Sequence, residues 1–347
     1  MTKRSLFTVF TLLAVLSMAL SACAPTAAPE ATATTAPPPT TAGGGEATPT
    51  VPPPTCDKLP NMPTVAAGEL GAADNPIVMT FVPSGDVAQI TKAGTEIADC
   101  LSKLTGLTYQ IEVGTSFAAS IEAMGAGKAQ IGFLNTFSIL LAQSKYDVEP
   151  ALVALRTYKG KLENFYQSQF IANKASGVTS IADLKGKTFC FGDPNSTSSN
   201  IMPRIVLKAN GIDPDKDFKA TQSVGSHDNV AIAVYKGDCD AGATFVDVRT
   251  DSAPIKENYP DILDKVDVFF LTDNIPNDGM QFIKDVDESI KDATVTGLLF
   301  IAEDTGGKAM LRNLYSYRGF AEIEPTFYDE FRALLVQAGV DPAEMIK

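Results

Sequence analysis

The chain of 347 residues has no tryptophan and only one histidine, and its five cysteines are scattered. Such a set leaves little material for a zinc site, which is built from several Cys and His ligands. Basic residues are also few, because 28 Lys and Arg stand against 41 Asp and Glu, a net charge of −13. A nucleic-acid binder needs a basic surface to displace phosphate counterions, so this class is excluded. With 45% hydrophobic and 20% charged residues, the composition is that of a globular protein.

The motifs of several common enzyme classes are missing too. The sequence contains neither a G-x-S-x-G nucleophile elbow nor an H-E-x-x-H zinc helix. Gly127-Lys128 and Gly186-Lys187 each lack the glycine five residues earlier that a phosphate-binding loop requires. These absences argue against common hydrolases, NTPases and zinc proteases, and we expect no cofactor and no metal.

The first 22 residues are typical of an export signal. Lys3 and Arg4 precede an apolar run over residues 6–20, which is short for a membrane span. The run ends in Leu20-Ser21-Ala22-Cys23, which resembles a bacterial lipobox. We therefore predict a lipoprotein signal peptide over 1–22 and acylation of Cys23. The alternative is an ordinary signal peptide in which Cys23 is incidental.

A tether follows the predicted signal. Residues 24–55 hold 9 Pro, 9 Thr and 8 Ala, and such a segment cannot bury enough apolar surface to offset its ordering entropy. We expect residues 23–56 to link a lipid anchor to a folded body. The protein would then be extracytoplasmic and held at the cell membrane.

Four cysteines remain for the body, and outside the cytoplasm an even number favours disulfides. Cys190 and Cys239 each lie in or beside a short apolar run typical of a strand. Neighbouring strands would bring them together, which leaves Cys56 to pair with Cys100. The alternative is four buried thiols.

Strand and helix patterns alternate through the body, which predicts an α/β protein with parallel sheets flanked by helices. The pattern falls into two lobes of similar size. In the first half, strands are predicted at 75–82, 109–113 and 131–134, and helices at 87–104, 117–126 and 137–143. Downstream, strands are predicted at 166–173, 188–191, 241–246, 269–272 and 280–283, and helices at 181–184, 196–209, 229–235, 287–301, 306–315 and 326–338.

The most informative segment is Asp-Pro-Asn-Ser-Thr-Ser-Ser-Asn at 193–200, between a predicted strand and a predicted helix. Hydroxyls at a helix start combine side-chain donors with unpaired backbone N–H groups and the positive end of the helix dipole. This arrangement suits a tetrahedral oxyanion. Because the run contains no Lys or Arg, we expect hydrogen bonds and dipoles to hold the anion. Simple capping of the helix is the alternative.

Four segments, at 183–187, 193–198, 226–229 and 237–243, occur in an order and spacing that resemble one family. The chain resembles the phosphate, phosphite and phosphonate substrate-binding proteins of ABC transporters. The resemblance implies the two-lobed periplasmic-binding-protein type II fold, with two crossing strands as a hinge. It also implies a first lobe of residues 57–165 plus 272–347, and a second lobe of 166–271.

The resemblance also implies the ligand-binding residues. Carboxylates that face an anion repel it unless a proton lies between them, so an acidic pocket would favour a ligand that still carries one proton. The residues that match pocket positions of the family, or lie beside them, are Ser196, Thr197, Ser198, His227, Tyr166, Asp247, Asp278, Phe117 and Thr136.

The leading hypothesis is a lipid-anchored, monomeric solute-binding protein that delivers a phosphorus oxyanion to the permease subunits of an ABC importer. A second hypothesis is a ligand-sensing lipoprotein that signals to a membrane protein. A third is a hydrolase on the same fold, with Ser196 or Ser198, His227 and Asp247 as its catalytic set.

Overall fold

Two β-sheets with flanking helices organise residues 51–344, which are the residues that the computed structural model describes. The predicted signal, Cys23 and most of the tether lie outside this range. The strands are β1 (Ile77–Phe81), β2 (Tyr109–Val113), β3 (Ile131–Leu134), β4 (Glu149–Tyr158), β5 (Lys161–Glu163), β6 (Phe165–Asn173), β7 (Thr188–Phe191), β8 (Ala220–Ser223), β9 (Ala241–Phe245), β10 (Val266–Pro276), β11 (Gly279–Phe282) and β12 (Gly319–Glu322). The α-helices are α1 (Val87–Thr105), α2 (Phe117–Gly125), α3 (Thr136–Tyr146), α4 (Met202–Ala209), α5 (His227–Lys236), α6 (Val248–Asp251), α7 (Ala253–Asn258), α8 (Ile262–Lys265), α9 (Glu288–Glu303), α10 (Thr305–Tyr315) and α11 (Asp329–Gln337).

Helix α1 illustrates how local sequence sets the ends of an element. The Asp86 carboxylate accepts a hydrogen bond from the Gln89 N–H at 2.8 Å and caps the first turn. Gly106 adopts a left-handed φ of 79° and ends the helix. Between them, Ile90, Ile97 and other apolar residues at helical spacing are buried against the first sheet. Within residues 51–344, no helix is long and apolar enough to cross a bilayer.

The first sheet has seven strands in the order β12-β4-β11-β3-β1-β2, with β5 paired to β4. β1 is parallel to β2 and β3, and helices connect these strands. β11 is antiparallel to β3 and β4, and β12 is antiparallel to β4. The prediction of a wholly parallel sheet is therefore wrong, because strands from the later part of the chain enter this sheet in the opposite direction.

The second sheet has the order β10-β6-β9-β7-β8 and is also mixed. β7 is parallel to β8 and β9, while β6 is antiparallel to β9 and β10. The chain leaves the first sheet before β6 and returns to it after β10. The backbone N–H of Asn277 donates to the carbonyl of Asn164 at 2.8 Å, so the two crossings lie side by side.

Two disulfides join the pairs of cysteines that the sequence favours. Cys56 and Cys100 have a Cα–Cα distance of 5.2 Å, and Cys190 and Cys239 one of 5.8 Å. The first bridge fixes the segment before β1 to helix α1. The second lies inside the second sheet's core and links β7 to the turn before β9.

Candidate ligand-binding site

A cavity with a free volume of about 60 Å³ lies between the two sheets. This volume has room for about four to six water molecules. A small tetrahedral oxyanion occupies a similar volume. Elements of both sheets contribute to its walls. Six of the nine side chains predicted to bind ligand line it, namely Phe117, Tyr166, Ser196, Ser198, His227 and Asp278.

Six helices begin at this cavity. Their caps or first turns contribute Asp86 of α1, Phe117 of α2, Asn135 of α3, Ser196 of the turn before α4, His227 of α5 and Ser252 of α7. The first turn of a helix has unpaired N–H groups and a positive partial charge. Such ends contribute a positive potential, which favours an anion.

The serine run begins its helix with a π-helical turn at Thr197–Ile201, and helix α4 continues it. Ser196 caps this turn, because its hydroxyl accepts a hydrogen bond from the Ser199 N–H at 3.3 Å. The Ser198 carbonyl accepts a hydrogen bond from the Ser168 hydroxyl at 2.5 Å, which fixes the turn against β6. The Ser198 side chain lines the cavity. The run therefore begins a helix at the position predicted, and two of its hydroxyl side chains line the site.

Thr197 has a different position. Its side chain is fully buried and does not line the cavity. The hydroxyl accepts hydrogen bonds from Asn135 Nδ2 at 2.9 Å and from the Phe137 N–H at 2.8 Å. Thr197 thus joins the start of the serine run to the start of α3, across the space between the two sheets.

His227 is a neutral hydrogen-bond donor toward the cavity. Burial, together with the positive charge of Arg156, lowers the pKa of His227 to about 3. Its Nδ1 accepts a hydrogen bond from the Phe245 N–H at 3.3 Å, so the single proton of the ring is on Nε2. The ring also packs edge-on against the Phe245 ring, with centroids 5.0 Å apart. An N–H donor held in this way can bind a ligand oxygen without adding a charge.

Arg156, near the end of β4, is a basic cavity residue that the sequence analysis did not predict. Its Nη2 donates to Asp278 Oδ2 at 3.0 Å. Burial disfavours its charge, but the attraction of Asp278 and of Tyr317 outweighs burial and raises the pKa of Arg156. The serine run itself contains no cation, as its sequence shows, but Arg156 from β4 lines the same cavity. The available signal was the apolar run 151–155 that ends at this arginine, but no strand was predicted there.

Three further carboxylates line the cavity, at Asp86, Asp228 and Asp251. Burial, with a contribution from the negative charge of Asp86, raises the pKa of Asp228 to about 6. Burial also raises the pKa of Asp251. Acidic residues therefore line the cavity, as expected: Asp278 is one of the two predicted acids, whereas Asp86, Asp228 and Asp251 were not predicted.

Asp247 and Thr136 lie outside the cavity wall. The Asp247 carboxylate accepts hydrogen bonds from Arg249 Nε at 3.0 Å and Arg249 Nη2 at 2.7 Å, and it also accepts one from Gln169. These bonds lower the pKa of Asp247 although burial opposes them. The Thr136 hydroxyl donates to the Pro276 carbonyl at 2.6 Å. Both side chains are thus occupied by structural hydrogen bonds.

The hydrolytic set proposed from the sequence is not assembled. Within residues 51–344, no hydrogen bond joins His227 to Ser196 or Ser198, and Asp247 bonds to Arg249 instead of His227. The same residues contain no cluster of three side chains that could hold a metal ion.

Residues 79–328 match the family described as "ABC transporter, phosphonate, periplasmic substrate-binding protein". The chain belongs to this family. The resemblance inferred from the four sequence segments is thereby confirmed. Members of the family are transport receptors that bind a substrate in the periplasm.

The chain is also similar to individual proteins of this kind. It is 28% identical over 186 residues to the phosphate-import protein PhnD of Mycolicibacterium smegmatis, over 52% of this chain and 57% of that protein. It is 27% identical over 222 residues to the phosphonates-binding periplasmic protein of Escherichia coli, over 62% of each chain. The chain thus spans about three fifths of the length of these two relatives.

Solved structures agree on the fold. A binding protein component of an ABC phosphonate transporter from Pseudomonas aeruginosa superposes with a TM-score of 0.68 at 21% identity, over 76% of this chain and 86% of that one. PhnD1 from Prochlorococcus marinus in complex with methylphosphonate superposes with a TM-score of 0.66 at 19% identity, over 76% and 98%. These likenesses confirm the predicted two-lobed periplasmic-binding-protein type II fold.

Proposed function

We propose that this protein is the extracytoplasmic receptor of an ABC importer and that it captures a phosphorus oxyanion, either a phosphonate, a phosphite or a phosphate. One observation supports this most directly. Six helix starts, the Ser198 hydroxyl, the neutral His227 ring and Arg156 line a cavity with room for such an anion. Family membership supports the transport role.

The two sheets support a hinged mechanism of capture. We propose one lobe of residues 57–165 plus 272–347 and a second of 166–271. The two crossings between them start beside the hydrogen bond that joins Asn277 to Asn164 within the first lobe. Rotation about these two crossings would open the cavity to the ligand and close it again. Closure would bury the anion and form the surface that the permease subunits recognise.

The N-terminal segment suggests how the receptor is held near its permease. We propose that Cys23 is acylated and that residues 23–56 tether the body to the membrane. In a polyproline conformation the tether would reach about 100 Å at most, at roughly 3.1 Å per residue. A monomeric body on such a tether could exchange between solution and the permease without leaving the membrane surface.

Calorimetry and thermal unfolding test the proposed function. The panel is phosphate, phosphite, methylphosphonate and 2-aminoethylphosphonate, with sodium chloride at matched ionic strength as the control. A ligand at a hundred times its Kd should stabilise the folded protein by about 2.7 kcal/mol. We expect at least one phosphorus compound to do so. If none binds while the protein is folded, the proposed function is wrong.

A further inference from the structure

Arg156 is held in a fixed orientation with part of its hydrogen-bonding capacity unused. Its guanidinium lies 5.2 Å from the ring centroid of Tyr317 and 5.6 Å from those of Tyr166 and Phe245. Nη2 binds Asp278, but Nε is buried and has no partner among the described residues. Only 12% of the side chain is exposed, and the residue lines the cavity. A buried donor without a partner is costly, so this one indicates a missing acceptor.

Both acids that the resemblance places in the pocket are already paired with arginine. Arg156 pairs with Asp278 at 3.0 Å, and Arg249 pairs with Asp247 at 2.7 Å. A carboxylate that bonds to a guanidinium no longer needs a proton from the ligand to avoid repulsion. The reason for expecting a ligand that retains a proton therefore does not apply to these two residues.

We propose that Arg156 binds the ligand directly and that the cleft selects the fully ionised, dianionic form of a phosphorus oxyanion. The proposal rests on the function proposed above and specifies which ionic form of the ligand is bound. Arg156 compensates Asp278 and directs its remaining donors to the anion, while Ser198, the first-turn amides and His227 complete the hydrogen bonds. The guanidinium fork suits the tetrahedral oxygens better than a point charge would.

The pH dependence of binding must be separated from the titration of neighbouring groups. His227 stays neutral above about pH 3, so it does not change charge in the relevant range. Asp228 ionises at about pH 6 and would repel the anion above that pH. The experiment therefore uses Asp228→Asn as its background. The charged or titratable groups that face Arg156 or the cavity are Asp278, Tyr166, Tyr317, His227, Asp251, Asp86, Asp228, Tyr315 and Arg312.

The first test is calorimetric titration of methylphosphonate into the full-length Asp228→Asn protein between pH 5.5 and 8.5. If only the dianion binds, the apparent affinity rises about tenfold per pH unit below the ligand's second ionisation and then becomes constant. An affinity that is unchanged, or that falls as pH rises, would overturn the selection of the dianion. This test needs no change at Arg156 itself.

The second test uses Arg156→Met and the double variant Arg156→Met/Asp278→Asn at pH 8. The single variant leaves Asp278 buried without a partner, so the double variant and Arg156→Lys are included to retain a folded protein. If Arg156 contacts the ligand, both Met variants should bind methylphosphonate about 10- to 100-fold more weakly, with Arg156→Lys in between. If the double variant recovers the original affinity, Arg156 only neutralises Asp278 and the direct contact is wrong.

The two proposals fail in different ways. If the unmodified protein binds none of the four phosphorus compounds, the proposed function fails. If the unmodified protein binds methylphosphonate and the Met variants bind it with the same affinity, the proposed function stands and the proposed role of Arg156 is wrong.

Discussion

The three hydroxyl residues that begin the helix at Ser196 have three different surroundings. Ser196 caps the turn while lining the cavity, Thr197 joins two helix starts, and Ser198 faces the cavity without a partner inside the turn. A single motif therefore supports folding, the contact between lobes and ligand binding at adjacent positions. Of the three, Ser198 is the residue whose hydroxyl lines the cavity without capping the turn, and its side chain also lies within hydrogen-bonding range of Tyr166.

Ser198→Ala should weaken binding of the phosphorus ligand by about three- to tenfold, because it removes one hydrogen bond to a charged group. Ser199→Ala is the matched control. Its hydroxyl is buried one position further along the same turn, has no hydrogen-bond partner within residues 51–344 and does not line the cavity. Titration calorimetry of both variants measures the difference. Equal losses in the two variants would contradict the assignment of Ser198.

Asp228→Asn should stabilise the protein at pH 7 by up to about 3 kcal/mol. The folded-state pKa of Asp228 is about 6, whereas an unfolded Asp titrates at about 3.9. Between these values the folded protein binds more protons than the unfolded chain, so Asp228 makes stability fall as pH rises through this window. An asparagine at this position cannot ionise, so Asp228→Asn avoids this fall in stability.

Denaturant unfolding at pH 4 and pH 7 checks the expectation for Asp228. The low pKa of His227 acts in the opposite direction, but it is present in both proteins and cancels in the difference. The two proteins should have equal stability at pH 4 and differ at pH 7. A variant that is less stable at pH 7 would mean that the carboxylate stabilises the start of α5 more than burial destabilises it.

At the scale of elements, the helices and strands whose ends are set by nearby residues were predictable from the sequence. Helix α1, strand β2 and strand β3 have local apolar periodicity and clear end signals, and the structure has them within one residue of the predicted bounds. Strands β4 and β12 were not predicted. Each becomes a strand by antiparallel pairing with distant parts of the chain, which no local pattern encodes.

The omission of β4 explains the omission of Arg156. Without a strand predicted at Glu149–Tyr158, no part of the sequence analysis placed this arginine near the carboxyl end of a strand beside the cavity. Asp247 illustrates the same dependence on context, because the resemblance implies a pocket acid there while its neighbour Arg249 forms hydrogen bonds with its carboxylate. The location of the site was predictable from the serine run, but its charge balance depends on contacts over long sequence distances.

At the scale of the whole molecule, hydrogen bonds between the two proposed lobes surround the cavity. The backbone N–H of His227 donates to the Ser84 carbonyl at 2.9 Å, and the backbone N–H of Phe117 donates to Asp193 Oδ2 at 3.3 Å. Asn135 donates to the Asn195 carbonyl at 3.0 Å, and Thr197 accepts from Asn135 and Phe137. In the proposed closure, groups at the same helix starts that face the ligand would stabilise the closed form, which would couple closure to binding.

Thr197→Val should favour the open form without removing a ligand contact. The change leaves the Phe137 N–H of the first lobe without its acceptor, at a cost of about 1–3 kcal/mol, and removes one of the two hydrogen bonds of Asn135 Nδ2, which keeps the Asn195 carbonyl. Apparent affinity should fall about tenfold or more, because less of the protein is competent to bind. The radius of gyration measured by X-ray scattering should increase and return at saturating ligand. Thr197→Ser, which retains the hydroxyl, should resemble the original protein.

The outcome for Thr197 separates two roles. A weaker affinity with an unchanged radius of gyration would mean that Thr197 contacts the ligand, contrary to its position in the structure. Unchanged affinity and radius together would mean that its hydrogen bonds do not stabilise closure.

The most direct measurement is a crystal structure of this protein grown with saturating methylphosphonate. The account predicts one anion in the cavity, with its oxygens within hydrogen-bonding distance of the Ser198 hydroxyl, the first-turn amides, His227 Nε2 and Arg156. An anion bound elsewhere, or a cavity without one at saturating concentration, would contradict it.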